Sequence, residues 1–475
     1  MITPFENLPP AAGILDLELI RKYSVPGPRY TSYPAATRFT ADLATLYLEE
    51  AVADDNRPAA ADGASGQPSP VSLYFHLPFC ETRCWFCGCT TVITRRSDVA
   101  GKYLDSLGCE VRLMAERMDR RRPVAQVHFG GGTPTFLAPD ELRRLGALIH
   151  DTFRLAPDTE FSVEIDPRRL TRDHVAALKE IGANRASLGI QDTDPRVQLA
   201  IHRLQPQSLN EQAFDWLRED GFRSLNVDLI DGLPLQTPAT FTRTIDRVLG
   251  LGPDRLSVFS YAHVPWIKPA QRILEDRQPL PRPEEKLAMF ATAHEQLTAA
   301  GFVDIGLDHF ARPDDALAVA QRNGTLHRNF QGYSTHAGSS LYGFGLSSIS
   351  ATATTYRQNH KTLAAWQAAL AAGQWPVERG LRLSTGDQRR RTIIMRIMCD
   401  RRIDFAALSR AIGVDFSSCY ASEIDRLAGL ETDGLLQRTP AGFEVTRAGS
   451  PLLRIIALQF DAYYSGASGR HAQAI

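Results

Sequence analysis

The chain has almost no surplus of either charge: 53 Lys and Arg stand against 54 Asp and Glu, a formal net of −1 over 475 residues. Such a balance supplies no global field to hold nucleic acid or an anionic membrane surface. Long apolar runs are missing too, and no stretch approaches the ~20 residues that a spanning helix needs. The opening MITPFENLPP has no basic region followed by an apolar run, so it does not read as a secretory signal. Cysteine is scarce, with seven in the whole chain. An odd, clustered set excludes a disulfide framework and implies a reducing compartment, so the expected location is the cytoplasm. What remains is ordinary globular composition, 43% hydrophobic and 23% charged, with length for two or three domains and a large core.

Four of the cysteines, Cys80, Cys84, Cys87 and Cys89, fall in one stretch, YFHLPFCETRCWFCGC at 74–89. The first three form C-x3-C-x2-C. Residues 71–77 read as a short buried strand stopped by Pro78, which puts the cysteines on a loop at its C-terminal end. A structural zinc site needs a closed tetrahedral set, for which Cys89 or His76 can supply the fourth ligand. Three thiolates alone suit a [4Fe–4S] cluster with one iron left open. The cluster is the favoured reading, because zinc knuckles rarely sit on an apolar strand end inside a long α/β chain.

C-x3-C-x-aromatic-C, with Phe86 as the aromatic, resembles the signature of the radical S-adenosylmethionine (SAM) enzymes. The longer string, Tyr74, His76, Pro78, Phe79 and then CGC at 87–89, resembles the oxygen-independent coproporphyrinogen III oxidases within that superfamily. PGPRYTSYP at 26–34 resembles their N-terminal arm, and DHFARPDD at 308–315 and HRNFQGYSTH at 327–336 resemble further stretches of them.

Along the chain, residues 1–53 read as an arm and a helix, the arm displaying Arg29, Tyr30 and Tyr33, the helix at 40–53. Residues 54–70, rich in Ala, Pro, Gly and Ser, read as a flexible loop. From 71 to 310, strands at 71–77, 124–129, 160–165, 185–190, 223–230 and 255–261 alternate with helical patterns at 97–118, 138–153, 171–181, 209–220, 238–249 and 283–300. An edge strand is expected at 303–307. This alternation argues for an α/β fold of parallel strands with crossover helices, a partial (β/α)6 barrel of the radical-SAM kind. Residues 311–379 read as a connecting segment with substrate-side loops. Residues 380–464 read as a mostly helical, winged-helix-like domain covering the barrel mouth, with a last helix at 451–464, and 465–475 as a tail. Its arginines at 389–391, 401 and 402 are not joined by a basic wing, so DNA binding is disfavoured.

In parallel barrels, function collects at the C-terminal strand ends. There lie the cysteine loop, the glycine run Gly130–Gly132 with Thr133, Glu164 and Asp166, Gln191, Asp228 and Ala262. The glycines permit close backbone approach. The resemblance implies Tyr74, Phe86, Gly131, Glu164 and Ile349 around a first SAM. It implies Gln191, Arg203 and Asp228, with Gly132, Thr133 and Ala262, around a second. It also places Gln331 near the active site, beside Tyr74 and Cys89. Arg29, Arg312 and Arg328 are candidates to grip substrate carboxylates in planar forks.

The implied activity is the anaerobic oxidative decarboxylation of two propionates of coproporphyrinogen III to vinyls, giving protoporphyrinogen IX in heme biosynthesis, through a 5′-deoxyadenosyl radical. It needs an electron donor and an acceptor that the sequence does not identify. A monomer without nucleic acid is expected. Rival readings are a heme-binding chaperone, another tetrapyrrole-acting radical SAM protein, and a winged-helix redox regulator. Asp231, His336 and the insertion at 54–70 depart from the family pattern. Cys109, Cys399 and Cys419 lie in helical patterns and are expected to be small buried hydrophobes.

Overall fold

The structure, a computed structural model, describes residues 17–23, 25, 27–43, 45–57 and 69–464. The opening segment, most of the expected loop (58–68) and the tail lie outside the described residues. Six parallel strands build the wall: β1 (Val71–Leu77), β2 (Val124–Gly131), β3 (Leu155–Ile165), β4 (Arg185–Gln191), β5 (Ser224–Asp231) and β6 (Arg255–Ser260). Each is preceded or followed by a helix whose apolar stripe meets the outer face of the sheet, as a parallel sheet requires. Strand alternation sorts the side chains. On β1, Leu73 and Phe75 enter the main apolar core, where the Phe75 ring stacks on Phe344 at 5.0 Å. Tyr74 and His76 point the other way, into the lumen.

The sheet does not stop at six strands. It has twelve, and residues expected to be a connector supply several of them. Ser340–Phe344 runs parallel to β1, and Ile349–Ala351, Thr355–Asn359 and Val377–Arg382 follow as antiparallel neighbours. At the other end, His309–Ala311 pairs antiparallel with β6, and Val303–Gly306 forms the edge. The stretch at 327–336 is a hairpin, His327–Asn329 against Gly332–Ser334. The arm caps one sheet edge: Thr40 and Gly380 exchange backbone hydrogen bonds of 2.9 and 2.8 Å.

The C-terminal domain has the expected pattern of helices and a three-stranded sheet, Arg402–Asp404, Gly442–Val445 and Leu436–Thr439. The last helix is shorter than expected, Leu453–Leu458. Its helix Thr385–Asp400 bridges the open side of the barrel. Arg391 donates to the carbonyls of Thr352 and Ala353 near one end of the sheet (3.0 and 2.7 Å), and Arg401 reaches Asp304 on the opposite edge strand at 2.7 Å. Through these contacts the domain closes the side of the wall.

Two further expectations are corrected. Tyr30 and Tyr33 are not displayed on the arm. They are 1% and 0% exposed, members of the C-terminal domain's own core, with the Tyr30 hydroxyl on Asp461 at 3.0 Å. Of the three isolated cysteines only Cys399 is buried; Cys109 and Cys419 are exposed.

Candidate active site

The lumen is a cavity of about 670 Å³. Its mouth is ordered by a relay that starts on β1. The Thr90 carbonyl can only accept, so His76 Nε2 carries the proton and donates to it at 2.9 Å. His76 Nδ1 then accepts from the Tyr74 hydroxyl at 3.0 Å. Burial holds His76 below its ordinary pKa, consistent with a neutral ring. Tyr74 stacks on His128, its register partner on β2, at 5.8 Å. His128 Nε2 donates to Glu164 at 3.2 Å, and the Gly131 N–H donates to the same carboxylate at 3.1 Å. Burial pushes the Glu164 carboxyl up, but these two donors outweigh it and hold its pKa low. The result is a fixed carboxylate at the strand ends. Gly131 is required here, because its φ is +112° and a Cβ would sit 2.6 Å from the His76 ring.

Cys80, Cys84 and Cys87 line a second, smaller cavity of about 230 Å³, with Thr133, Asp166 and Arg168. The donors suit an iron–sulfur cluster. All three thiols are free. The thiols ring a space, and cations face them: Arg168 Nη2 and Arg203 Nη1 each lie 3.6 Å from Cys84 Sγ. Contacts from the Cys89 thiol and N–H bring the Cys87 thiol down to about 6, while burial pushes Cys80 up to about 11. His76 is engaged elsewhere. Cys89 lines the lumen while its N–H reaches Cys87 Sγ at 3.4 Å.

Gln191, Arg203 and Asp228 converge around Gly189. Asp228 is its register partner, Arg203 Nη2 donates to its carbonyl at 2.6 Å, and a Cβ there would meet the Gln191 amide at 2.8 Å. Arg203 is buried, bonds Asp166 at 3.0 Å and leaves its Nε without a partner. Burial raises the Asp166 carboxyl, yet the Arg203 and Arg168 charges win and hold it at about 2. Gly132 backs onto the Pro78 carbonyl group, where a Cβ would come within 2.6 Å. Phe86 packs among Ile201, Leu233 and Tyr261. Its carbonyl and that of Ala262 both accept from the Gln271 amide, at 2.9 and 3.3 Å. Ile349 and Gln331 line the lumen, and the Gln331 amide has no hydrogen-bond partner on either end.

The three candidate arginines separate. Arg29 Nη2 lies 3.3 Å from the Ser260 carbonyl at the mouth end of β6. Arg328 is buried on the hairpin with its guanidinium over the Tyr333 ring. Arg312 is not brought to the mouth. His309–Ala311 runs antiparallel to β6, so the chain descends to the foot of the barrel, where Arg312 Nε donates to the Pro253 carbonyl at 2.9 Å.

Reading motifs at strand ends misses the lumen itself. His128, Ser162, Ser187, Asn226 and Ser257 all line it. Their signal was available as polar residues at every second position of otherwise apolar strands. Gln271, which ties the cysteine loop to the end of β6, carries no such signal.

The Radical SAM superfamily model matches residues 74–248, and the HemN C-terminal domain model matches residues 383–452. The chain is 43% identical over 455 residues to the oxygen-independent coproporphyrinogen III oxidase of Synechocystis sp., covering 95% of this chain and 96% of that one. To the Escherichia coli K12 protein of the same description it is 42% identical over 448 residues, covering 94% and 95%. The solved coproporphyrinogen III oxidase (HemN) of Escherichia coli, described as a radical SAM enzyme, superposes with a TM-score of 0.88 at 40% identity, covering 95% of this chain and 99% of that one.

Proposed function

Because this chain belongs to the oxygen-independent coproporphyrinogen III oxidases, a radical SAM family, we propose a role for each part of the site it has built. The protein is an oxidoreductase that decarboxylates coproporphyrinogen III oxidatively in heme biosynthesis, with a [4Fe–4S] cluster and SAM. When bound, these cofactors supply one-electron chemistry, a carbon radical able to take hydrogen from an unactivated position.

In our reading Cys80, Cys84 and Cys87 anchor the cluster. Arg203 and Arg168 offset its negative charge. The Glu164 carboxylate, kept ionised by His128 and Gly131, pairs with the ammonium of a first SAM, and the relay from Tyr74 to His76 shapes the pocket. Gln191, Arg203 and Asp228 hold a second SAM. Cys89 and Gln331 face the lumen, where the ring system lies. The carrying observation is that Cys87 and Cys89, two residues apart, open onto different cavities. One loop thus serves both the cluster and the substrate.

A monomer in the cytoplasm, reduced by an external one-electron donor and discharging electrons to a separate acceptor, completes the proposal. Among the described residues no helix is long and apolar enough to cross a membrane. The test is anaerobic incubation of cluster-loaded protein with SAM, a reductant and coproporphyrinogen III. Protoporphyrinogen IX, with methionine released, is the expected product. Cofactor incorporation with no tetrapyrrole turnover would instead favour the heme-chaperone reading.

A further inference from the structure

Two arginines outside the lumen's own lining break the rule that a buried guanidinium is paired; one of them, Arg328, lines a neighbouring cavity of about 510 Å³ that shares Phe330 and Leu341 with the lumen. Arg328 is 5% exposed, and its Nε and Nη1 have no hydrogen-bond partner. Arg454, on the helix Leu453–Leu458, likewise buries Nε and Nη1 without a partner. The two share surroundings. Leu453 and Ile455, on either side of Arg454, belong to an apolar core that includes Tyr30 and takes in Leu307 at its edge. Those residues adjoin Arg29 and Asp308 in the chain. The charges acting on Arg454 are accordingly Arg29, Asp308 and Arg328, and those acting on Asp308 are His309, Arg328 and Arg29.

The charges do not balance. Three guanidiniums face one carboxylate, and Asp308 is already engaged by His309 Nδ1 at 2.8 Å. At the rim, Lys286 and Asp231 offset one another. About two positive charges are left without an answer, with Arg29 exposed and the unpartnered Arg328 and Arg454 nitrogens buried. Burying a charge in this way is costly, and the arrangement becomes favourable when an anion enters. Its position selects the anion. His309 and Tyr333, which flank the cluster, line the lumen, and Arg29 touches the end of β6. Guanidinium forks fit carboxylates bidentately.

We propose that Arg454, together with Arg328 and Arg29, binds a propionate carboxylate of the tetrapyrrole that is not the one reacting. The inference rests on the substrate reading above and extends it to the C-terminal domain: arm, hairpin and last helix each contribute one guanidinium, so the grip exists only when all three are docked.

The test titrates coproporphyrin III, the stable fluorescent tetracarboxylate, into anaerobic cluster-loaded protein, with its tetramethyl ester as control. Arg454→Gln should weaken coproporphyrin binding by about tenfold to a hundredfold, the usual worth of a charge-assisted hydrogen bond. Arg454→Lys should weaken it about tenfold, since the charge stays and the fork is lost. Ester binding should be alike in all forms, and ligand-free Arg454→Gln should melt no lower than the parent. Parent-like coproporphyrin binding by folded Arg454→Gln overturns the assignment. Should that variant fail to fold, parent-like binding by Arg454→Lys does so. A parent that converts coproporphyrinogen III while both variants bind normally sinks this grip alone. A parent that neither binds nor converts it sinks the substrate reading with it.

Discussion

The cysteine loop concentrates its chemistry in single atoms. With Cys80, Cys84 and Cys87 as the proposed anchor, no thiolate is spare, so Cys84→Ala should fall from about four irons per chain to under one after anaerobic reconstitution, measured by iron and sulfide analysis. Cys89 opens onto the lumen instead. Cys89→Ser should keep the iron and lose most coproporphyrinogen turnover in the same preparation. Arg312 supplies the contrast. It lies at the foot against Pro253, with its guanidinium over the Phe302 ring at 5.5 Å. Arg312→Lys should leave turnover within about twofold of the parent and alter only the melting temperature. A buried carboxyl supplies the pH dependence. Glu110 accepts from the Gly345 N–H, the Asn359 amide and the Trp366 indole at 2.8, 2.5 and 3.1 Å, and burial pushes it up to about 7 from 4.5. Its folded pKa exceeds the unfolded one, so the folded state holds the extra proton. Stability should therefore fall as pH rises from about 4.5 to about 7, by about 3 kcal/mol from this group alone. Thermal midpoints across that window should slope more steeply for the parent than for Glu110→Gln.

Among the elements, those with strong local signals were the legible ones. The six wall strands lie within a few residues of their expected bounds, because an apolar run followed by a 3.6-residue stripe admits few other readings. The strands from Ser340 to Arg382 escaped notice because they run only three to six residues, and SLYGF and the polar TYRQN are buried along their whole length with no alternation of their own. The same weakness misplaced Arg312, since a three-residue antiparallel strand leaves no periodic trace. In the site, cysteine spacing and the glycine run were plain, while His128 hid inside a strand and Arg454 inside a domain with no evident tie to the lumen. The turn after β2 shows how local geometry serves the site. Gly131→Ala should cost about 1–3 kcal/mol from its positive φ, as read by thermal denaturation. It should also weaken SAM binding, since the new methyl displaces the His76 ring.

For the molecule as a whole, the sheet is an open wall whose two ends are joined by a helix from another domain. Arg391 holds the turn between Ile349–Ala351 and Thr355–Asn359, one strand in from one edge, and Arg401 holds the opposite edge strand, ten residues or ~15 Å of helix away. Arg401→Ala should cost about 2 kcal/mol. It should also speed proteolysis of the C-terminal domain and lower coproporphyrinogen turnover more than it lowers iron content. A fully closed barrel has its girth set by strand number and tilt. Here the girth is set by a buckle. The width of the chamber and the chemistry performed in it are thus encoded in separate stretches of chain. Replacements along residues 385–401 should therefore change how firmly the wall is closed, read by proteolysis, and leave the iron content of reconstituted protein unchanged.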